Sequence, residues 1–194
     1  SSGLRTPHLS ELLADGLHHG TNRYEIGNVD LEIEKGQQLD FNYEWANEHF
    51  GFIVNPFIHH IDNYISLKPS EQTIDNYPVF EYQQLKFANL QGAEINLHYH
   101  PHFLHQLHFE QSYSFIKGID NNESPIALIP SNKVFSEVSY TIKNAKIIEK
   151  IIANHNYHFS KEDVAFNEQT SKSYQLIDLF IEWKYKSRLS GNLG

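Results

Sequence analysis

Apolar and polar residues alternate with a period of two along most of this 194-residue chain, and that pattern limits its fold more tightly than any other feature. Successive side chains of a strand point to opposite faces, so each alternating run defines one apolar and one polar face. Leu39, Phe41, Tyr43 and Trp45 stand against Asp40, Asn42 and Glu44. Ile95, Leu97 and Tyr99 oppose Glu94, Asn96, His98 and His100. Leu107, Phe109, Tyr113 and Phe115 oppose His108, Glu110, Ser112 and Ser114. Val134, Val138, Tyr140 and Ile142 continue the theme, and so do Ile177, Leu179, Ile181, Trp183 and Tyr185 against Asp178, Glu182 and Lys184. Two runs are less regular: 52–66 carries Pro56 at its middle, and 147–159 has Ile on both faces. Helix signals are weak; only SELLADGL (10–17) offers an N-cap and one short turn.

The pattern predicts strands over 36–46, 50–67, 82–101, 105–118, 132–143, 147–160 and 173–186. Short connections fall at 46–49, 101–104 and 144–146, and long ones at 1–35, 68–81, 119–131 and 161–172. Tight turns at one end and long loops at the other characterise outer-membrane β-barrels. Trp45 and Trp183 both lie on the apolar face beside short-turn ends. An interfacial aromatic girdle puts them there, because the ring is apolar and its N–H needs a wet partner.

No stretch approaches the roughly 20 apolar residues of a membrane helix. Alternating strands can cross a bilayer without being hydrophobic on average, and here mean hydropathy is negative although 13% of residues are aromatic. A net charge of −9, with no stripe of Lys and Arg, excludes nucleic acid as the main partner. The absence of Cys excludes disulfides and thiolate metal sites. The first residues, SSGLRTPHL, lack the apolar core of a secretory signal.

Which face points outward decides the architecture. A closed barrel of about eight strands barely houses its own side chains. Asp40, Glu44, Glu94, His98, His100, Glu110, Asp178, Glu182 and Lys184 cannot all fit inside one. The expected fold is therefore all-β, an antiparallel up-and-down transmembrane β-barrel. These seven to eight strands form part of a larger wall that further strands complete, since an open edge is not tolerated in lipid. Two alternatives stay open: a soluble barrel or sandwich binding an apolar ligand or glycan, and a passive porin-like channel.

Three segments resemble the C-terminal half of the barrel of TonB-dependent outer-membrane receptors. In the first (5–45), an Arg-x-Pro leads into a long extracellular loop, followed by Glu-Leu, Gly-Asn-x-Asp-Leu and a Glu-Lys that opens a descending strand. Arg5, Pro7, Glu11, Leu12, Gly27, Asn28, Asp30, Leu31, Glu34 and Lys35 match in order. The second is FANLQGAEINLHYHP (87–101), where Gly92 and Glu94 match a Gly-x-Glu ahead of a periplasmic turn. The third is LIPSNKVFSEVSY (128–140), similar to an Ile-Pro-x-x-(Lys/Arg) entry to a descending strand. The resemblance implies a bacterial outer-membrane receptor with a plugged barrel of about 22 strands. Its cargo would be a scarce solute such as an iron–siderophore, haem or another metal chelate. It also implies partners: the bilayer, a plug domain and remaining strands outside residues 1–194, and a TonB complex acting through the plug.

Among candidate site residues, His18, His19, Arg23 and Tyr24 lie in the long extracellular loop and are expected to contact the substrate. The run HYHPHFLHQLH holds His98, His100, His102, His105 and His108, and a strand i, i+2 pair can ligate one ion. That run straddles a periplasmic turn, so packing of the turn and girdle is the preferred reading and no metal site is assigned. Glu94 and Glu110 have no nucleophile or polarised His beside them, and no G-x-S-x-G, H-E-x-x-H or P-loop occurs. No catalytic residue and no cofactor is expected.

Overall fold

The computed structural model describes all residues except 145, 167 and 186–188. Part of the expected turn 144–146 and the end of the expected strand 173–186 lie outside the described residues. The strands in chain order are β1 (Ser2–Arg5), β2 (Asp15–His18), β3 (Arg23–Ile26), β4 (Glu34–Asp40), β5 (Tyr43–Ala46), β6 (Phe50–Asp62), β7 (Ile65–Ile74) and β8 (Tyr77–Gln84). They continue as β9 (Phe87–Tyr99), β10 (Leu107–Asp120), β11 (Lys133–Thr141), β12 (Ile148–His158), β13 (Tyr174–Tyr185) and β14 (Leu189–Leu193). The short helix α1 spans Leu9–Leu13, with His8 rather than Ser10 at its N-cap.

Ten strands form one antiparallel sheet in the order β1-β4-β6-β9-β10-β11-β12-β13-β14, with β5 also paired to β6. The sheet does not close on itself: β1 and β14 are its two edges. The expected order of pairing holds wherever consecutive predicted strands meet. Pro56 explains the break in the predicted strand 36–46. Phe41 donates to the Pro56 carbonyl at 3.0 Å, but proline has no N–H to return the bond. The ladder is interrupted at residues 41–42 and resumes as β5. The two-faced Ile run of β12 has an equally local cause, a bulge between Ile148 and Lys150 that shifts the register against β13. Ile148 and Ile151 thereby pair with Trp183 and Ile181, on one face.

The apolar face points outward. Leu39, Phe41, Leu97, Tyr99 and Leu179 are exposed, Leu39 at 72% and Leu179 at 59%. Buried apolar side chains among the described residues are few: Leu31, Ile65, Val79, Ala88, Pro101 and Ile126. A water-soluble fold of this size buries far more, because burial is what offsets the entropy of folding. The exposed band instead suits lipid, and the soluble-barrel alternative is not favoured. Trp45 packs against Phe50 and Phe52 at the short-turn end, and Tyr99 stacks on Phe109 with ring centroids 6.1 Å apart. These rings form the aromatic belt. No helix among the described residues is long and apolar enough to cross a membrane.

Two expectations need correction. Segments 1–35 and 68–81 are not irregular loops, because they supply a second, four-stranded sheet in the order β2-β3-β8-β7. The predicted strands 50–67 and 82–101 accordingly end early in the wall, at Asp62 and Phe87. Asn63 turns the chain with a φ of 56°, and the ladder then runs on through Asn63 N–H to Lys86 O (2.9 Å) and Leu85 N–H to Tyr64 O (2.8 Å). β6–β7 and β8–β9 are thus one long bent hairpin, its tip turning at Asp75 and Asn76, both at positive φ. Beyond the last predicted strand, β14 pairs with β13 from Leu193↔Ile181 to Leu189↔Tyr185.

Candidate functional site

Two ends of the wall carry polar side chains in built surroundings. At the long-connection end, a knot of hydrogen bonds holds the outer sheet. Arg5 bridges two carboxylates, donating from Nε to Glu34 and from Nη1 to both Glu11 oxygens at 3.0 Å. Glu34 is buried and also accepts the Ile65 N–H at 2.7 Å. Gly27 and Asn28 donate backbone N–H groups to Ala14 and Glu11 carbonyls at 2.6 and 2.8 Å. A Cβ on Gly27 would lie 2.6 Å from Leu12 backbone, so only glycine permits that approach. Asn28 then accepts the Asp30 N–H at 2.9 Å, and Leu31 is buried. The loosely spaced residues of the segment 5–45 therefore meet in one place, which gives that sequence pattern a physical cause.

The knot presents the hairpin β2–β3, which carries the predicted contact residues. His18 pairs in register with Arg23, so both project from one face; Tyr24, on the neighbouring position, projects from the other. Arg23 donates to Glu25 at 2.8 Å and lies over the Phe80 ring, 5.1 Å from its centroid. Buried Glu25 also accepts from Tyr82 at 3.2 Å, so the ion pair is anchored from β8. His18 Nδ1 lies 3.0 Å from Thr21 Oγ1. Tyr24 donates to Asp15 at 2.7 Å, and that bond to a carboxylate raises the phenol's pKa and keeps it protonated. His19 is exposed at the hairpin tip. His18 and Arg23 are brought together, while Tyr24 is turned away from them.

Sequence reasoning missed a second feature of this end. Lys68 on β7 pairs with buried Asp120 at the top of β10, at 3.2 Å. Residues 121–131 fold back over the sheet, burying Ile126 against Gly118. Between them lies a hollow of about 580 Å³ lined by Lys68, Glu71, Asp120, Ile126 and Phe166. Phe166 and Leu128 are 94% and 88% exposed on the two loops flanking it. Those loops are stapled by Glu168, which accepts from the Leu128 and Ala165 N–H groups and from Lys161. Burial opposes ionisation of Glu168, but the three donors outweigh it and hold its carboxyl below the usual range. The signals available in sequence were the lone Lys68 among strand residues and an Asp-Asn-Asn turn.

The inward face of the wall is mainly polar, with Glu44, Glu94, Asn96, His98, Glu110, Ser112 and Glu182 in register across it and Ile53, Phe135, Ile152 and Phe180 interspersed. A sheet apolar on one face and hydrated on the other, with tight turns at one end and folded excursions at the other, is the wall of an outer-membrane barrel. The chain belongs to the TonB dependent receptor-like, beta-barrel family, whose model matches residues 1–194. Members are outer-membrane receptors and transporters of Gram-negative bacteria, not enzymes.

Solved structures with the same fold include "Copper transporter OprC", at 12% identity and a TM-score of 0.82, covering 98% of this chain and 29% of that one. The siderophore receptor PirA from Acinetobacter baumannii has 13% identity and a TM-score of 0.70, with coverage of 97% and 32%. The FrpB iron transporter from Neisseria meningitidis (F3-3 variant) has 13% identity and a TM-score of 0.59, with coverage of 87% and 27%. The chain spans about a third of the length of these structures or less. A comparison with curated proteins finds no match.

Proposed function

We propose that this chain is part of the C-terminal wall of a receptor that takes up a scarce metal-bearing solute, an iron–siderophore, haem or another metal chelate. The observation that carries the reading is the built outer end. A receptor must present a fixed surface to its ligand, and here His18 and Arg23 stand on a hairpin held by ion pairs to two buried carboxylates, Glu34 and Glu25, rather than on a free loop. Proteins of the same fold carry copper, iron or siderophore in their names, which supports a metal-bearing cargo. His18 and Arg23 make the first contacts from one face of the hairpin and Tyr24 from the other, with His19 at the tip, and the hollow beside Lys68 and Phe166 is the adjoining surface. A plug domain and the remaining strands complete the protein, and a TonB complex supplies energy through the plug.

The test is uptake of radiolabelled metal chelates by cells carrying the full-length receptor, with and without a protonophore. Energy-dependent uptake of one chelate class, weakened by His18→Ala/Arg23→Ala, is expected. Diffusive uptake unaffected by the protonophore would instead fit a passive channel.

A further inference from the structure

The opposite end of the wall holds a group of side chains that uptake of a chelate from outside does not require. β9 and β10 are joined by the turn 100–106, and their register sets Phe109 against Tyr99 and Glu110 against His98. Continuing it sets His108 against His100. His98, His100 and His108 therefore share the inward face, one pair along a strand and one pair across it. Their ligand atoms all lie within 4.8 Å of one another. His98 Nε2 and His100 Nδ1 are 3.1 Å apart, and Glu110 Oε1 is 3.8 Å from His98 Nδ1. The ring centroids of His98 and His100 lie 5.5 and 5.9 Å from His108 in the order His100, His98.

A second trio adjoins the first. His49, from the turn between β5 and β6, packs edge-on to His100 at 5.3 Å and to His102 at 4.7 Å. His102 Nδ1 faces His49 Nε2 at 3.0 Å, and His105 lies 5.5 Å from His102. His49 Nδ1 is buried with no hydrogen-bond partner among the described residues, although a buried imidazole nitrogen is normally satisfied. Six imidazoles from three separate segments meet at one end of the lumen, next to a hollow of about 430 Å³ lined by Glu44, Asn47, His98, His100 and Glu110. Packing needs no such concentration of one titratable residue type, and a girdle role is closed to these three because they face away from lipid.

We propose that His98, His100 and His108 bind one divalent transition-metal ion at the turn end of the lumen, with Glu110 as the adjacent carboxylate. Three imidazoles and a carboxylate suit Zn²⁺, Cu²⁺ or Ni²⁺ and not Ca²⁺ or Mg²⁺, which take oxygen ligands. Metal–nitrogen bonds of about 2.0–2.1 Å place tetrahedral ligands roughly 3.4 Å apart, a rotamer adjustment from the spacing here. The site is independent of which solute the receptor carries.

The experiment uses the full-length receptor in detergent, titrated with Co²⁺ and Zn²⁺. One equivalent of Co²⁺ giving the visible absorption of a nitrogen-rich centre, displaced by Zn²⁺ and untouched by excess Ca²⁺, is expected. His100→Asn and His108→Asn should each weaken binding by more than about ten-fold, since even second-shell partners of a metal commonly matter by about 10–100-fold. His18→Asn/His19→Asn at the far end should leave it unchanged. Heat-modifiable gel mobility verifies that each variant is a folded barrel; should His108→Asn fail to fold, Glu110→Gln and His98→Asn carry the test. Absence of stoichiometric binding overturns the proposal. So does binding that survives these changes but is lost in His102→Asn/His105→Asn, which would put the ion on the turn trio instead.

Discussion

Leu179→Arg separates a lipid-facing wall from every other reading of this sheet. Leu179 is the sixth residue of the twelve-residue β13. At about 3.3 Å per residue and a tilt of about 40°, each residue climbs roughly 2.5 Å. The strand then covers about 30 Å, and Leu179 lies within a few ångströms of the midplane. Across the sheet it faces Ala153, with Ile151 and His155 as its diagonal neighbours, so no carboxylate is at hand to pair an introduced guanidinium. Arginine at that depth costs about 2–4 kcal/mol in a barrel. Glu182, three residues on, faces Lys150 across the lumen side. Glu182→Arg sets two cations opposite one another in hydrated surroundings, at a cost of about 0.2–1 kcal/mol. The assay is a denaturant folding titration of the full-length receptor into lipid vesicles, read by heat-modifiable mobility. Leu179→Arg should shift the midpoint strongly and Glu182→Arg little. Equal shifts, or a larger one for Glu182→Arg, would refute the assignment of faces.

Glu34→Ala removes the acceptor of both Arg5 and the Ile65 N–H, and should loosen the outer sheet by about 2–3 kcal/mol, seen as faster proteolysis within 6–33 while the wall stays folded. Gly92→Leu should lower assembly yield, because its Cβ would sit 2.8 Å from the Phe57 ring and 2.4 Å from the Phe115 carbonyl. Gly118→Ala should be milder, its closest contacts being side-chain tips at 3.1 Å. The Glu168 staple should be pH-dependent. Its folded carboxyl is held below the unfolded value of about 4.3, so its contribution is complete above that value and fades as pH falls through the folded one. The hydrogen-exchange protection factors of the Leu128 and Ala165 amides, corrected for the intrinsic pH dependence of exchange, should fall on acidification, and Glu168→Gln should abolish that dependence.

The wall was legible because lipid on one side and water on the other impose alternation on every strand that crosses. Tyr43 to Ala46, Ile95 to Tyr99 and Ile177 to Trp183 announce themselves for that reason. β7 and β8 belong to the second sheet and not to the wall, so no lipid face enforces alternation on them, and Pro69 and Pro78 read as loop punctuation. The Asp75–Asn76 turn was the available clue, since two residues tolerant of positive φ between apolar segments suit a hairpin. The parallel pairing of Tyr24 with Val79 joins segments too distant in sequence for any local signal. The inward placement of His98 and His100 could be read from parity. The approach of His108 and His49 depended on a register that only the folded turn supplies.

The bent hairpin ties distant stretches of the chain together at its foot. Beyond Tyr64 it runs through the ten residues of β7 before turning back, paired to β8 except between Pro69 and Thr73. Its foot is clamped where Asn63 donates to Glu32 and Gln84 donates to the Asn63 carbonyl. Three stretches far apart in sequence meet in that clamp, so a substitution at Glu32, Asn63 or Gln84 is expected to loosen the bent hairpin and the β2–β3 excursion together.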